Sequence, residues 1–413
     1  MTTIVDTIIL LADETASCLV AGLPQLERLL RDIERSRPAL PNDANRTPDV
    51  IVVWRSRELK QRQPDWVGRT PIDLRVRHVI DGEGDHSDLL DLVALDRAWV
   101  LSTRQVWSPR GLAGHFEGPR TDIPARAGDR LWEALTRRSL PANATESVGD
   151  GGGLVGLIEG PADVTRVERA LFRSLGNPSD GYMTKLVHRR LSTKVTRLIA
   201  MTAITPHQIT CVVAFLFLAS AASLVTSGYW MLLAGAALYK LGDILDGCDG
   251  ELSRVKFMES RFGAWFDTTV DMIGNMLFMG ALAVGLSRDS GPLTREGAAY
   301  LWEGLLVVSA MVLTIWGMAR YTRTTSGAAH FAGFGTSLAS SAPDHRVKRR
   351  LILFVSRLLR RDAYSWLFVA LAAVGRPAWI LHAMAGGLVV YFIGLWYADR
   401  VESMKRSAVL AVD

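Results

Sequence analysis

The pattern of hydrophobic and polar positions changes near residue 176. Before it, short apolar runs rich in β-branched residues alternate with polar stretches and with segments such as residues 22–35, where apolar residues recur at helical spacing. Short apolar runs of this kind predict buried strands, and helical spacing predicts amphipathic helices. The predicted strands are residues 4–12, 49–54, 97–103 and 153–160.

Strands that alternate with helices predict an α/β layered domain with a mostly parallel sheet, of the Rossmann-like kind, over residues 1–175. Polar stretches containing Pro and Gly, at residues 38–48, 81–88 and 142–153, indicate loops. The first apolar run has no basic residue before it, so it is typical of a buried strand rather than a signal peptide.

Residues 176–413 have the pattern of a membrane domain. Residues 180–199 are basic and amphipathic, which predicts a helix lying on a membrane surface or, alternatively, an ordinary soluble helix. Apolar stretches of membrane-crossing length follow, and we expect about six transmembrane helices in an α-helical integral membrane domain. The stretches are residues 208–227, 229–245, 262–286, 298–319, 364–375 and 378–397, of which the fifth is short.

Composition and charge agree with this organisation. The chain of 413 residues is 49% hydrophobic, and its mean hydropathy of +0.16 is high for a soluble protein. A net charge of +5 leaves nucleic acid, anionic lipid and phosphorylated substrates open as partners. Only three cysteines occur, far apart, which argues against a disulfide framework and fits a reducing compartment.

The placement of Lys and Arg predicts the orientation of the membrane domain. One set of loops between the predicted spans is rich in these residues, while the other set contains Arg288, Arg295 and Arg376. Because basic loops remain in the cytoplasm, we expect the α/β domain and both termini on the cytoplasmic side. The expected location is the inner membrane of a bacterium.

Aspartates concentrate where the second and third predicted spans meet. Asp246 and Asp249 are three residues apart, and Asp267 and Asp271 are four apart, so each pair shares a helix face. Four carboxylates turned toward one another would repel unless a divalent cation neutralised them. Hard oxygen ligands favour Mg²⁺, Mn²⁺ or Ca²⁺, and four carboxylates are enough for a two-metal site that grips phosphoryl oxygens.

Small and basic residues lie between the aspartate pairs. Gly250 and Gly263 permit close approach of a ligand or helix, and Arg254 offers a planar fork for phosphate. Ser253 is small and able to donate a hydrogen bond. The alternative interpretation of the segment is a solvated interhelical loop whose charges pair with one another.

The spacing resembles the signature of the CDP-alcohol phosphotransferase (CDP-alcohol phosphatidyltransferase) family, D-x-x-D-G-x-x-A-R followed by G-x-x-x-D-x-x-x-D. Asp246, Asp249, Gly250 and Arg254 match the first half, and Gly263, Asp267 and Asp271 match the second. Ser253 replaces the usual alanine. A weaker resemblance is TPHQIT at residues 205–210, where His207 replaces the family's asparagine and is interpreted as a structural residue.

The resemblance implies transfer of a phosphoryl-alcohol unit from a CDP-linked donor to an acceptor hydroxyl, with release of CMP. It implies that Asp246, Asp249, Asp267 and Asp271 bind two divalent cations, Mg²⁺ or Mn²⁺, and that Asp271 is also the general base. Asp246 would share in nucleotide binding with Gly250, Ser253, Arg254 and Gly263.

The substrates stay open at the level of the sequence. The donor is either CDP-diacylglycerol, giving a phospholipid, or a CDP-polyol such as CDP-inositol. Arg357, Arg360 and Arg361 are candidates for binding a phosphorylated acceptor, and their alternative role is anchoring by the positive-inside rule. Many members of the family are homodimers, which makes a homodimer possible here, and no nucleic-acid partner is expected.

The N-terminal region resembles, more loosely, a sugar-phosphate nucleotidyltransferase, as in fusions of inositol-phosphate cytidylyltransferase with di-inositol-phosphate synthase. Such fusions have a glycine-rich basic loop after the first strand, which would hold a triphosphate. Residues 11–22 contain two acids and neither Lys nor Arg. We therefore expect an inactive domain, and the alternative is a bifunctional enzyme. For the protein as a whole, the alternative to a transferase is a membrane scaffold or binding protein whose aspartate site is idle.

Overall fold

The computed structural model describes residues 7–39, 48–63, 71–83, 89, 98–109, 111–117, 131–139, 153–176, 188–324 and 361–388. The chain forms two compact units. The first consists of Met1–Pro178, Thr193–Thr205 and Gly250–Glu259, and the second of Ser179–Ser192, Pro206–Asp249 and Ser260–Asp413. Two short segments distant in sequence thus belong to the N-terminal unit, and the domain boundary at residue 175 stays a prediction.

The first unit alternates strands and helices. Its strands are β1 (Thr7–Ala12), β2 (Leu19–Val20), β3 (Leu23–Pro24), β4 (Asp49–Trp54), β5 (Arg75–Ile80), β6 (Ala98–Ser102), β7 (Gln105–Trp107) and β8 (Leu154–Leu157). Its helices are α1 (Gln25–Ser36), α2 (Arg57–Gln61), α3 (Gly111–Glu117), α4 (Leu131–Ser139) and α5 (Pro161–Ser174). The prediction of an α/β domain is confirmed.

A parallel four-stranded sheet in the order β5-β4-β1-β6 forms the centre of this unit. Alternate residues of β1 enter two different cores, because successive side chains of a strand point to opposite faces. Ile8 and Leu10 pack in one core with α1, and Ile9 and Leu11 pack in the other with Leu135. Apolar layers on both faces explain why β1 is a continuous apolar run rather than an alternating one.

Several strands differ from the sequence prediction, which did not include β2, β3, β5 or β7. The run at residues 153–160 does form a strand, β8, but it pairs antiparallel with β7 in a separate two-stranded sheet. Strand β5 was not predicted, because its exposed Arg75 and half-buried neighbours lack the apolar run of a central strand. Its place at the edge of the sheet explains this mixed composition.

The remaining helices are a short, basic helix and a series of mostly apolar helices that follow it. They are α6 (Arg189–Ala200), α7 (Pro206–Thr226), α8 (Tyr229–Val255), α9 (Arg261–Ser290), α10 (Arg295–Thr324), α11 (Arg361–Ala373) and α12 (Ala378–Leu388). The basic segment predicted at residues 180–199 is described only from residue 188, where it is helical. Residues 389–397 of the sixth predicted span lie outside the described residues.

Within the described ranges, three helical segments are long and apolar enough to cross a membrane: Pro206–Thr226, Arg261–Ser290 and Arg295–Leu313. Their outer faces expose large apolar side chains, such as Phe215 and Trp302, which a lipid environment would cover. The segments Tyr364–Ala373 and Ala378–Leu388 are apolar but shorter. The structure therefore supports a membrane protein, whereas six crossings stay a prediction.

Glycines allow helix α9 to pack tightly along α7. A Cβ atom added at Gly274 would lie 2.7 Å from Cε2 of Phe217, which is too close for any larger residue. A Cβ atom added at Gly242 of α8 would lie 2.7 Å from Cε1 of the same ring. Small residues at such contacts are typical of helix pairs in membranes, because they let the backbones approach closely. The ring of Phe217 thus fixes the distance between the helices that bear the aspartates.

Candidate active site

Three aspartates converge in the second unit. Asp246 and Asp249 lie on α8 and Asp267 lies on α9, and one carboxylate oxygen of each is within 4.8 Å of the others. Asp249 is buried, and the other two are partly buried. The spacing of three puts Asp246 and Asp249 on one face of α8, and the packing of α9 against it adds Asp267.

The first helix of this unit holds one of the three carboxylates in place. Thr210 of α7 is buried and donates a hydrogen bond of 2.6 Å from Oγ1 to Oδ2 of Asp249. Thr210 is the last residue of the TPHQIT segment, so that segment supports the aspartate group through its final threonine. This hydrogen bond ties the carboxylate of Asp249 to α7 and so restricts its orientation.

The donor set fits a hard divalent cation. Oδ1 of Asp246 and Oδ1 of Asp267 are buried and have no hydrogen-bond partner among the described residues. An unpartnered buried carboxylate oxygen is costly, and neighbouring like charges add to that cost. Carboxylate oxygens are the ligands that Mg²⁺ and Mn²⁺ prefer, so these residues are suited to hold such an ion.

Asp271 has a different environment from the other three. It lies outside the group of mutually close ligand oxygens found among the described residues. The guanidinium group of Arg361 forms ion pairs with both Asp271 and Asp246. Asp271 is therefore near Asp246 but is held by a cation from α11, and a direct role in metal binding stays a prediction for this residue.

A cluster of buried polar side chains surrounds Asp243, which pairs with the guanidinium group of Arg361. Asp243, one helical turn before Asp246, accepts hydrogen bonds from Lys240 Nζ at 2.9 Å and from Ser365 Oγ at 2.7 Å. Arg361 Nε lies 2.9 Å from Oδ1 of Asp243, and His188 Nε2 lies 3.6 Å from its Oδ2. Asp243 is 4% exposed, so these partners are what make its charge tolerable in the interior. The cluster fixes the guanidinium plane of Arg361 from one side.

A second group of polar side chains lies beside Asp271. The side chain of Asn275, one turn further along α9, donates a hydrogen bond of 3.0 Å to the backbone carbonyl of Asp271. Its amide oxygen accepts hydrogen bonds from the hydroxyl groups of Tyr239 and Tyr364. These contacts link α8, α9 and α11 next to Asp271 and restrict the motion of its helical turn.

The residues expected to bind the nucleotide lie at the ends of two helices. Gly250, Ser253 and Arg254 occupy the last turns of α8, where Ser253 Oγ donates to the Gly250 carbonyl at 3.0 Å. Gly263 lies in the first turn of α9, and its backbone N–H is capped by Ser260 Oγ at 2.9 Å. Their binding role stays a prediction.

His207 has a packing role, as expected. A Cβ atom at Gly263 would lie 2.8 Å from Cε1 of His207. The imidazole also meets the rings of Phe262 and Phe266 edge to face, with centroids 5.8 Å and 6.5 Å away. Gly263 therefore makes room for His207, and the lack of a side chain there has a structural reason in addition to any role in nucleotide binding.

The N-terminal unit presents a second place where a nucleotide would be expected. Ligands of open parallel sheets bind at the carboxyl ends of the strands where the strand order reverses, which here is between β1 and β6. Asp13 follows β1 at this edge and accepts hydrogen bonds from Thr15 Oγ1 at 2.6 Å and Arg104 Nε at 2.6 Å. Thr103 also donates to Asp13, at 3.3 Å. Side chains of the protein thus satisfy one another at this edge.

The electrostatics of this edge favour the ionised form of Asp13. Burial raises the pKa of its carboxyl group, but hydrogen bonds from Thr15 and Arg104 outweigh burial and hold the pKa below its ordinary value. The sequence pattern indicated no basic residue here, because Arg104 comes from the turn after β6. Its guanidinium is engaged by Asp13, and inactivity of the domain stays a prediction.

Several of these residues were not identified from the sequence. Asp243 continues the spacing of three that links Asp246 and Asp249, so periodicity alone contained a signal for it. Asn275 and Tyr364 gave none, since their partners come from other helices. Of the three arginines proposed to bind the acceptor, Arg361 reaches the site, while Arg357 and Arg360 lie outside the described residues.

The aspartate group lies within a region that is similar to a known protein family. Residues 201–376 match the CDP-alcohol phosphatidyltransferase family model. This part of the chain therefore matches a CDP-alcohol phosphatidyltransferase domain, and the resemblance inferred from the aspartate spacing is confirmed.

Curated relatives share the name "Bifunctional IPC transferase and DIPP synthase". The protein from Archaeoglobus fulgidus is 29% identical over 213 residues, which cover 50% of this chain and 38% of that protein. The one from Thermococcus kodakarensis is 35% identical over 30% of this chain and 28% of its own length. The one from Rubrobacter xylanophilus is 32% identical over 45% of this chain and 42% of its own length. The chain thus aligns with less than half of each of these relatives.

Proposed function

We propose that this protein is a membrane-embedded phosphotransferase that moves a phosphoryl-alcohol unit from a CDP-linked donor to an acceptor hydroxyl and releases CMP. The observation that carries the proposal is the convergence of Asp246, Asp249 and Asp267 within a matched CDP-alcohol phosphatidyltransferase domain. The names of the relatives favour an inositol phosphodiester as the product, and a phospholipid made from CDP-diacylglycerol is the alternative.

The three converging aspartates would hold divalent cations, Mg²⁺ or Mn²⁺, with Asp271 completing a second position. Bound there, such ions would neutralise the charge of the donor pyrophosphate and of the departing CMP. Arg254 offers a bidentate donor to the same phosphates, and Gly250 and Gly263 leave space for the nucleotide to approach the backbone.

Asp271 would act as the general base in the transfer. The acceptor oxygen forms a bond to the phosphorus that bears the donor alcohol, and its proton passes to Asp271. The bond from that phosphorus to the oxygen bridging to CMP breaks, and CMP leaves with this oxygen. Asn275, Tyr239 and Tyr364 support the position of Asp271, since they fix the turn of α9 on which it lies.

Arg361 is the part of the site that would recognise a phosphorylated acceptor. Its guanidinium is next to the proposed base, and Asp243 holds it by the Nε atom. Its terminal nitrogens pair with Asp271 and Asp246, and a phosphate group, which matches the planar fork of a guanidinium, would bind them in place of those carboxylates. This arrangement favours a phosphorylated polyol over an unphosphorylated one as acceptor.

Replacing Arg361 by Met is expected to raise KM for a phosphorylated acceptor by at least about tenfold, because a charge-assisted bidentate contact is lost. The KM of the unphosphorylated polyol should change much less. The measurement is CMP release at saturating donor with inositol phosphate and with inositol. Arg376→Met serves as a matched control, and an equal change of KM for both acceptors would contradict the assigned role.

The N-terminal domain is proposed to have no cytidylyltransferase activity. When the purified protein is mixed with CTP and inositol phosphate, we expect no pyrophosphate above background, because Asp13 and Arg104 engage each other where the triphosphate would bind. The same preparation supplied with a CDP-alcohol provides the positive control. Sustained pyrophosphate release would instead show that the protein is bifunctional. The relatives carry the word bifunctional in their names.

Location and assembly complete the proposal. We propose a multi-pass protein of the bacterial inner membrane with six crossing helices, in which the site and both termini face the cytoplasm and a homodimer forms. The basic loops on one side of the predicted spans support this orientation.

A panel assay tests the central proposal. Purified protein in nanodiscs is supplied with CDP-inositol or CDP-diacylglycerol and with phosphorylated or free polyols, and products are identified by mass spectrometry. We expect CMP together with an inositol phosphodiester. If none of the combinations releases CMP above the level of a triple Asp246, Asp249 and Asp267 variant, the protein is a scaffold with an idle site.

A further inference from the structure

The loop that joins the two halves of the aspartate signature has an unusual set of contacts. Helix α8 ends at Val255, and α9 begins at Arg261 after a short connection. Phe257 within it has a φ of 56°, in the left-handed region that a bulky residue rarely adopts. The N–H of Met258 donates back to the carbonyl of Ser253 at 2.8 Å. This backbone conformation is strained, so it needs support from neighbouring groups.

Helix α1 of the α/β domain supports this conformation through Arg28. The side chain is 2% exposed, and its Nη2 atom donates to the carbonyls of Val20 and Val255 at 3.0 Å each. Its guanidinium carbon lies 5.5 Å from the centroid of the Phe257 ring, within the range of a cation–π contact. Arg28 therefore caps the C-terminal end of α8 and packs on the strained residue that follows.

A cation at this place suits the helix it caps. The last carbonyls of a helix have no partner within the helix and carry partial negative charge, so a buried guanidinium donor stabilises them. Burial lowers the pKa of Arg28 to about 10, against the opposing effect of Asp32, Glu168 and Glu27, so the side chain stays charged at neutral pH. Burying a charge is costly, and the cost is offset only while the acceptors stay in place.

Further contacts hold the same connection from several directions. Arg35 of α1 forms an ion pair of 2.5 Å with Glu259, the residue just before the N-cap of α9. Lys256 donates to the carbonyl of Thr202 at 2.5 Å, and the buried Glu251 accepts from Thr196 at 2.8 Å. These contacts explain why residues 250–259 cluster with the N-terminal unit although they follow Asp249 directly.

We propose that the α/β domain serves as a positioning module for the loop of residues 250–259, with Arg28 as its principal positioning residue. Arg28 and Arg35 hold the end of α8 and the residues just before α9, and so set the backbone on which Arg254 lies. The inference deepens the proposed function, but it concerns the conformation of the loop and does not depend on any substrate.

Hydrogen exchange of the full-length protein in nanodiscs tests the proposal. In Arg28→Met, amides of residues 255–260 are expected to exchange about tenfold faster, the size expected from losing a charged hydrogen bond and its cap. Arg35→Gln, which changes a partly exposed ion pair, should raise exchange about twofold at the end of the loop. Arg28→Lys retains one donor and should give an intermediate rate.

Leu29→Ala is the matched control, since Leu29 lies in the sheet core on the same helix. It should destabilise the α/β domain while leaving exchange at residues 255–260 unchanged at temperatures where the domain is folded. The proposal is overturned if Leu29→Ala accelerates this loop as much as Arg28→Met does, or if both arginine variants keep the exchange rate of the unmodified protein.

Enzyme kinetics give a second and separate measurement. Arg28→Met should raise KM for the CDP-linked donor more than it lowers kcat, because Arg254 is proposed to contact the nucleotide. If the unmodified protein turns over no CDP-alcohol, the proposed function fails, and the exchange experiment still decides the positioning role. A fall in kcat with unchanged donor KM and unchanged exchange would contradict it.

Discussion

Asp271→Asn is expected to reduce turnover by about two to four orders of magnitude while the CDP-linked donor still binds, which is the usual contribution of a positioned general base. Asparagine keeps the size of the side chain and one oxygen but cannot accept the proton of the acceptor hydroxyl. In the structure, Asp271 lies near Asp246 but outside the group of three mutually close carboxylates, and it pairs with Arg361. This position favours a role in proton transfer over one in holding the donor.

The matched control is Asp246→Asn, which removes charge from the group of converging carboxylates. It is expected to weaken metal and nucleotide binding together, whereas Asp271→Asn should spare donor affinity. Donor dissociation constants and turnover are measured for both variants at saturating metal. Near-normal turnover of Asp271→Asn would mean that another group accepts the proton, and Asp271 would then be only an ion-pair partner of Arg361.

Removal of divalent cations is expected to abolish turnover, and added Mg²⁺ or Mn²⁺ should restore it. Carboxylates as close as those of Asp246, Asp249 and Asp267 would repel a pyrophosphate unless cations neutralised them. The measurement is CMP release after treatment with EDTA and after readdition of each ion. Full turnover in EDTA would rule out the metal-dependent mechanism.

Binding of Mn²⁺ provides a readout that needs no turnover. Equilibrium dialysis of the unmodified protein should show saturable binding that Asp267→Asn weakens by at least about tenfold, because a charged ligand becomes neutral. Asp289→Asn is the control, since Asp289 lies at the far end of the same helix and contacts Gly228. Equal Mn²⁺ binding by all three proteins would place the ion elsewhere.

The sequence predicted the local parts of the structure well, because their signals are periodic. The apolar run of β1 and the helical spacing of α1 appear in the structure near their expected bounds. The spacing of three placed Asp246 and Asp249 on one face of α8, and helix packing brings Asp267 of α9 to them, whereas Asp271 lies outside this group. The weaker predictions concerned β5 and the pairing of β8, which depend on neighbours distant in the chain.

By itself, the sequence indicated the proposed reaction class, because the family signature consists of carboxylates at fixed helical spacings and these are visible in one dimension. Only the tertiary structure decided what controls those carboxylates. Arg361 reaches Asp271 from a helix that begins about ninety residues later in the chain. Arg28 reaches Val255 across 227 positions. Contacts of this kind form when packing brings distant segments together, and no local periodicity records them.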